Sequence, residues 1–379
     1  MAFAGWDRVP IQTADGLKMA VAPVIISASR ATDLPAFYGD WFMNRLKAGY
    51  VKWINPFNQQ AQYVSFQQTR VIVFWTKNAR PFLKHLPQLD KMGLNYYFTF
   101  TVNDYEAEGL EPNLPGLAER IETFKQLAAR IGKKRVVWRF DPLILSHELT
   151  VEKLLAKMEN VGRQLHGYTE KLIISFADIS RYRRVKRNLI AGGFAGYREF
   201  DEASMRAIAA GLRELNQRWQ LQIATCAETI DLSAYGIQPN KCVDDQLMQE
   251  LFPADRVLMA FLGDQVPSLP LFPSARAATG SHPNHLKDRG QRTTCGCIVS
   301  KDIGQYNTCL HLCRYCYANH AEGLVRSNYR RRDIPSSKKT VINHPLIHED
   351  QFPITKNHSF PRGFSRVPPF YGQKQKTGN

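Results

Sequence analysis

The sequence predicts an α/β fold, a TIM-like (β/α) barrel, closed or partial, followed by a C-terminal cysteine-rich loop. Three observations predict it. From about Val24 to Glu228, short β-rich runs alternate with longer amphipathic stretches. The runs are apolar throughout rather than alternating, as parallel strands buried on both faces must be. Polar, reactive residues recur where the runs end, and in parallel β/α barrels these ends share the face that carries active sites. A doubly wound sheet would share the first two features, because strand order is invisible in a sequence.

Residues 1–20 read as an N-terminal extension and 21–264 as the barrel, which at ~250 residues is a typical size for the fold. VIISAS (24–29) precedes a helical stretch over 36–49, and YVKWIN (50–55) precedes QYVSF (62–66), a β excursion, and VIVFWT (71–76). A helical stretch over 79–93 leads to NYYFTFTV (95–102). The stretch 114–132, with Leu117, Ile121, Phe124, Leu127 and Ala128 on one face, leads to RVVWRF (135–140). Helical 151–165 leads to KLIISFAD (171–178), and helical 203–219 to LQIATC (221–226). This makes seven strand candidates.

Their ends supply the candidate site residues. Ser27, Arg30 and Asp33 follow the first strand, Asn55 the second, Lys77 the third, Arg139 and Asp141 a later W-R-F-D-P segment, and Glu228 the last. Arg30, Asp33, Lys77, Arg139, Asp141 and Glu228 are the candidates for catalysis, and Ser27 and Asn55, with Tyr315, for cofactor binding. Asp33 alone would pass for a helix cap and Arg139–Asp141 for a structural pair; the recurrence at strand after strand points to one polar pocket.

The composition, 44% hydrophobic and 22% charged, excludes a disordered or coiled-coil chain. No run approaches the ~18 apolar residues of a membrane span, so a soluble cytoplasmic protein with no membrane partner is expected. The net charge of +16 suggests an anionic small molecule or a nucleic acid as substrate. R-Y-R-R-V-K-R (181–187), basic and interleaved with an aromatic residue, suits phosphate contacts, or is one exposed face of a helix. Residues 265–320 read as a lid or linker, with His282 and His285, running into the cysteine loop; 321–379 read as a basic, disordered tail.

Of seven cysteines, Cys295, Cys297, Cys309, Cys313 and Cys316 fall close together, and an odd count at tight spacing argues for a metal site rather than a disulfide framework. Cys309, Cys313 and Cys316 form C-x3-C-x2-C with aromatic Tyr315 before the last cysteine. Three thiolates on a compact loop can hold three irons of a [4Fe-4S] cube and leave the fourth open. Two other layouts fit the spacing. One is a zinc site in which Cys295 and Cys297 pair with Cys313 and Cys316, and the other is a closed cluster with Cys295 or Cys297 as fourth ligand.

The C-L-H-L-C-R-Y-C-Y-A-N loop resembles that of radical S-adenosylmethionine (radical SAM) enzymes, especially their spore-photoproduct-lyase-like branch. The resemblance implies that Cys309, Cys313 and Cys316 ligate the cluster and that Tyr315 packs near the adenine of S-adenosylmethionine. It also implies reductive cleavage of that cofactor, with flavodoxin or ferredoxin as external one-electron donor. The motif lies after the β/α region rather than after the first strand, and Y-V-K-W-I-N-P stands where the Gly-Gly-Glu type stretch would be. That order, with V-I-I-S-A-S-R-A-T-D-L-P-A-F-Y, W-T-K-N and R-F-D-P, resembles a bacterial domain-of-unknown-function family, number eighteen-forty-eight, over roughly residues 20–320.

Overall fold

The computed structural model describes residues 3–56, 58–263 and 286–330. A hairpin of β1 (Arg8–Thr13) and β2 (Gly16–Val21) opens the chain, followed by β3 (Ile25–Ala28), α1 (Leu34–Phe37) and α2 (Gly39–Ala48). A second hairpin, β4 (Tyr50–Ile54) and β5 (Ala61–Ser65), precedes β6 (Val71–Thr76), α3 (Leu86–Lys91), β7 (Asn95–Thr101), α4 (Leu117–Ile131) and β8 (Val136–Leu143). Then come β9 (Leu145–Ser146), α5 (Val151–Leu165), β10 (Lys171–Phe176), α6 (Arg183–Ala191), β11 (Tyr197–Arg198), α7 (Glu202–Trp219), β12 (Gln222–Thr225) and β13 (Ile237–Pro239). The described chain ends with α8 (Asp245–Leu251), α9 (Arg256–Leu262), β14 (Lys301–Asp302) and α10 (Glu322–Arg330).

Eight strands make one sheet, in the order β13-β12-β10-β8-β7-β6-β3-β14, and every neighbouring pair is parallel. From β3 to β13 each strand lies beside its predecessor on the same side, whereas a doubly wound sheet reverses its order at a switch point. Among the described residues no ladder joins β13 to β14.

Both faces of this sheet are covered, which is why its strands are apolar throughout. Ile26, Phe74, Phe98, Trp138 and Ile174 pack on the helices in one core cluster, with Phe74 4.7 Å from Phe98 and 4.8 Å from Phe82 between ring centres. Residues one step along each strand, Ile25, Val73, Tyr97, Val137 and Ile173, pack in a second cluster with Cys242, Val243, Met248, Leu258 and Ile298. The Tyr97 hydroxyl donates to the Cys242 carbonyl at 2.8 Å, tying β7 to the chain beyond β13. At ~1.5–3 kcal/mol per buried large side chain, these two layers supply most of the driving force. Outside them α5 crosses α7 so closely that a Cβ on Gly162 would stand 2.2 Å from Trp219 Cζ2.

Several expectations need correction. YVKWIN is not a strand of the parallel sheet. It pairs antiparallel with β5 in a second sheet, β1-β2-β5-β4, whose other hairpin is the expected N-terminal extension. The connection from Ile54 to Ala61 is far shorter than the dozen or more residues a parallel crossover needs, so the hairpin is forced. Asn55 therefore closes the β4–β5 turn, its N–H donating to the Gln60 carbonyl at 2.9 Å. Residues 183–191 form a helix, the alternative weighed for that basic stretch, and the tail expected to be disordered begins with helix α10. His282, His285 and residues 331–379 lie outside the described residues. No described helix is long and apolar enough to cross a membrane.

Candidate functional site

The parallel strands end on one face, and the cysteine loop is fastened over it. β14 adds to β3 in register Lys301↔Ile26 and Asp302↔Ser27, which brings residues 303–320 to that face. The Asp302 carboxylate accepts from Ser27 Oγ at 3.1 Å, Ser29 Oγ at 2.7 Å, and the N–H groups of Arg30 and Gly304, both at 2.8 Å. The Ser27 hydroxyl is thus engaged by the protein itself. Further on, the Tyr38 hydroxyl donates to the Thr308 carbonyl at 2.7 Å and the Tyr317 hydroxyl to the Arg30 carbonyl at 2.6 Å. From the other side α6 reaches in: Arg184 donates to the Tyr317 carbonyl at 2.6 Å and Arg187 to that of His320 at 2.9 Å. Two of the basic residues read as phosphate contacts therefore hold the loop, while Arg181, Arg183 and Lys186 remain exposed.

Asp33, 5% exposed, has four partners, on α1, the end of β6 and the cysteine loop. One oxygen caps α1 through Ala36 N–H at 3.0 Å and accepts from Thr76 Oγ1 at 2.8 Å. The other accepts from Lys77 N–H at 2.7 Å and meets His311 Nε2 at 2.8 Å. Asp33 is both the helix cap and the anchor of the loop between Cys309 and Cys313. His311 Nδ1, buried, has no hydrogen-bond partner among the described residues.

Beside it, Lys77 Nζ lies 2.8 Å from both Glu111 Oε1 and the Tyr315 hydroxyl. Tyr315 donates to Glu111 in turn and accepts from Asn103 Nδ2 at 3.1 Å, while Arg120 lies 3.4 Å from the other Glu111 oxygen. Burial pushes the Glu111 carboxyl up, but Lys77 and Arg120 outweigh it and hold it below the usual carboxylate range. Burial likewise works against the Lys77 ammonium, and Glu111 and Cys313 more than restore it. Side chains of Lys77, Arg120 and Glu111 are 18%, 1% and 3% exposed, so two cations share one carboxylate in the interior. Sequence reading missed Glu111, Arg120 and Asp302.

A cleft opens next to this network, lined by Asp141, Ser175, Asp178, Tyr182, Cys226, Glu228, Arg292 and Tyr315. Asp141 is held by Arg139 Nε at 3.1 Å and by the Ser175 hydroxyl; burial pushes its carboxyl up, and Arg139 and Ser175 bring it below its ordinary value. Arg292 pairs with Asp178 at 2.9 Å and donates to the Tyr182 hydroxyl at 2.7 Å. Glu228 accepts from the Phe176 N–H at 3.0 Å, and burial lifts its carboxyl to about 7. Two neighbouring carboxyls thus differ: one stays ionised and one exchanges a proton near neutrality. Arg30 and Arg139 flank Trp75, each guanidinium 5.2 Å from its ring centre, deeper inside.

The structure divides the cysteines. Cys309, Cys313 and Cys316 keep company with Tyr315, and burial pushes all three thiols up. Cys295 and Cys297 instead join Cys226 and Cys242 in the second core cluster. None of the seven is joined in a disulfide, and among the described residues no group of three or more His, Cys, Asp or Glu side chains could hold a single metal ion. Three neighbouring thiols match in number what a cube of several irons takes from a chain, and the Lys77 ammonium acts on Cys313 in the direction that favours its thiolate.

The family model described as Domain of unknown function (DUF1848) matches residues 25–318. No curated protein matches the chain. A crystal structure of a candidate alpha-L-fucosidase from Bacteroides thetaiotaomicron shares 8% identity over 52% of this chain and 75% of that one, with a TM-score of 0.21.

Proposed function

The chain belongs to the DUF1848 family, and from that premise we propose that it is an iron–sulfur enzyme resembling the radical SAM enzymes, acting on an anionic substrate. Cys309, Cys313 and Cys316 would hold a [4Fe-4S] cluster. That cluster would supply, with S-adenosylmethionine and an external one-electron donor such as flavodoxin or ferredoxin, the chemistry of reductive cleavage of the cofactor. The observation that carries the reading is that Cys309, Cys313 and Cys316 neighbour one another on the strand-end face, with Cys313 beside Tyr315 and the Lys77 ammonium. A nearby cation favours the thiolate, the form that binds iron.

The remaining work falls to the chain's own side chains. Asp33 fixes the loop through His311, and Glu111, Asn103 and Lys77 lock the Tyr315 phenol at the edge of the cleft. Glu228, titrating at about 7, can take or return a proton in the cleft, and Asp141 stays a carboxylate. Phe176 and Tyr182 help exclude water, and exposed Arg181, Arg183 and Lys186 at the rim suit a phosphate-bearing substrate, nucleic acid included. The same reading takes the unreversed strand order as that of a (β/α) barrel.

A second reading, favoured by the split between Asp141 and Glu228, is a hydrolytic barrel in which these two acids do acid/base work; the zinc layout pairing Cys295 and Cys297 with Cys313 and Cys316 does not form, because the two pairs lie in separate core clusters. Anaerobic purification followed by iron, sulfide and zinc analysis and EPR with and without S-adenosylmethionine separates them. About four irons per chain and a spectrum altered by the cofactor are expected. Cys313→Ala should lose the iron and Cys295→Ala should keep it. Zinc without iron, or equal iron loss in both variants, overturns the proposal.

A further inference from the structure

The four cysteines outside the loop form a cluster of their own. Cys226 follows β12 and Cys242 follows β13, adjacent parallel strands whose ladder continues through Asn240 N–H to the Thr225 carbonyl at 2.8 Å. Their Sγ atoms lie 3.6 Å apart. Cys242 Sγ also receives Arg139 NH1 at 2.9 Å and Asn240 Nδ2 at 3.0 Å, and Cys297 Sγ receives the Cys242 N–H at 3.1 Å. All four thiols are buried, at 6%, 2%, 1% and 2% exposure for Cys226, Cys242, Cys295 and Cys297. Cys226 alone among them lines the cleft.

We propose that Cys226 and Cys242 are a reversible dithiol–disulfide pair, a redox centre distinct from the cysteine loop, with Cys226 as the member that borders the cleft and meets a small disulfide. Two sulfurs at 3.6 Å are in van der Waals contact, and a bond of ~2.05 Å needs about 1.5 Å of further approach. The Cys226 contact and the Arg139 guanidinium on Cys242 Sγ work toward its thiolate, the form that closes the bond and leaves when it reopens, against the Cys297 contact and burial that push the thiol up to about 11. The Arg139 and Asn240 donors, and the main-chain N–H on Cys297, are wasted on inert apolar thiols. The inference stands apart from the iron–sulfur reading and uses none of the loop cysteines.

With a small disulfide R–S–S–R, the Cys226 thiolate attacks one sulfur, the R–S–S–R bond breaks and one RS⁻ departs, leaving Cys226–S–S–R. The Cys242 thiolate then attacks the Cys226 sulfur, forms the Cys226–Cys242 bond and expels the second RS⁻. The two cysteine protons end on the two released thiols, and two electrons pass from protein to R–S–S–R. The Cys242 contact and burial push the Cys226 thiol up, so the exchange quickens as pH rises.

The full chain, as purified without oxygen, is incubated with 2-hydroxyethyl disulfide, quenched with N-ethylmaleimide in denaturant and mapped by mass spectrometry. The expected result is a linked Cys226–Cys242 peptide, reversed by dithiothreitol. Cys242→Ser should trap 2-mercaptoethanol on Cys226, Cys226→Ser should leave Cys242 unmodified, and both should keep the iron content of the parent. Failure to form the linked peptide, a Cys242–Cys297 link in its place, modification of Cys242 in Cys226→Ser, or loss of iron or zinc from either variant overturns the proposal. The peptide map is read whether or not iron is bound, so it can fail while the iron–sulfur reading stands, and the reverse.

Discussion

Replacing Glu228 with Gln tests the cleft's proton group without disturbing its shape, because the amide oxygen still accepts from Phe176 N–H. The ordinary carboxyl value is 4.5 and the folded one about 7. Between them the unfolded chain has lost a proton that the folded chain retains, so stability falls as pH rises across that window. The contribution is intact below about 4.5 and gone above about 7. A shift of about 2.5 units at 1.36 kcal/mol each gives about 3 kcal/mol as an upper bound, reduced by whatever water enters the cleft. Urea unfolding of the iron-free parent and of Glu228→Gln is followed from pH 5 to 8.5, and the difference between the curves removes every other titrating group. The parent should lose stability relative to the variant up to neutral pH and then run parallel to it. Parallel curves over the whole range would refute the reasoning: Glu228 would then be ionised in the folded cleft at all these pH values and unable to exchange a proton near neutrality.

Two structural substitutions give sharper signs. Asp33→Ala strands the donors of Ala36, Thr76 and Lys77 and frees His311; at about 1–3 kcal/mol per stranded buried group, a large fall in Tm is expected, with faster alkylation of Cys309 and Cys313. Unchanged alkylation would mean that Asp33 only caps α1. Gly162→Ala places a methyl 2.2 Å from Trp219 Cζ2, and overpacking of this kind costs about 1–3 kcal/mol, read as a lower unfolding midpoint with the cysteine reactivities unaltered.

What the sequence discloses depends on whether a residue's role is local. The strands β3, β6, β7, β8, β10 and β12 are legible because burial on both faces leaves an unbroken apolar run, and the helices because one face does. β13 and β14 carry no such mark. Ile237–Pro239 and Lys301–Asp302 are two or three residues with polar or proline members, made into strands by the neighbours they meet. Glu111 sits among the acids of E-A-E-G-L-E, and only the folded chain brings one of them under Tyr315. The C-x3-C-x2-C spacing is a local signal and is legible. The meeting of Cys226 and Cys242 with Cys297, 55 residues further on, follows from the inner face of the sheet enclosing residues 242–243 and 295–298 and leaves no pattern in sequence.

Charge shows the same division. The net charge is +16, yet the cleft is lined by Asp141, Asp178 and Glu228 against one arginine, Arg292. A net charge is a sum over the surface and governs approach at a distance; the groups facing a ligand are set one by one by strand register. The two facts agree if the cations act at the rim and the acids within. Exposed Arg181, Arg183 and Lys186 would hold phosphate outside, while the reacting part of the same molecule enters uncharged or as a cation. Binding to the rim should then weaken steeply with salt, and the step that depends on Glu228 should follow pH instead, so that salt and pH act on separate stages of one reaction.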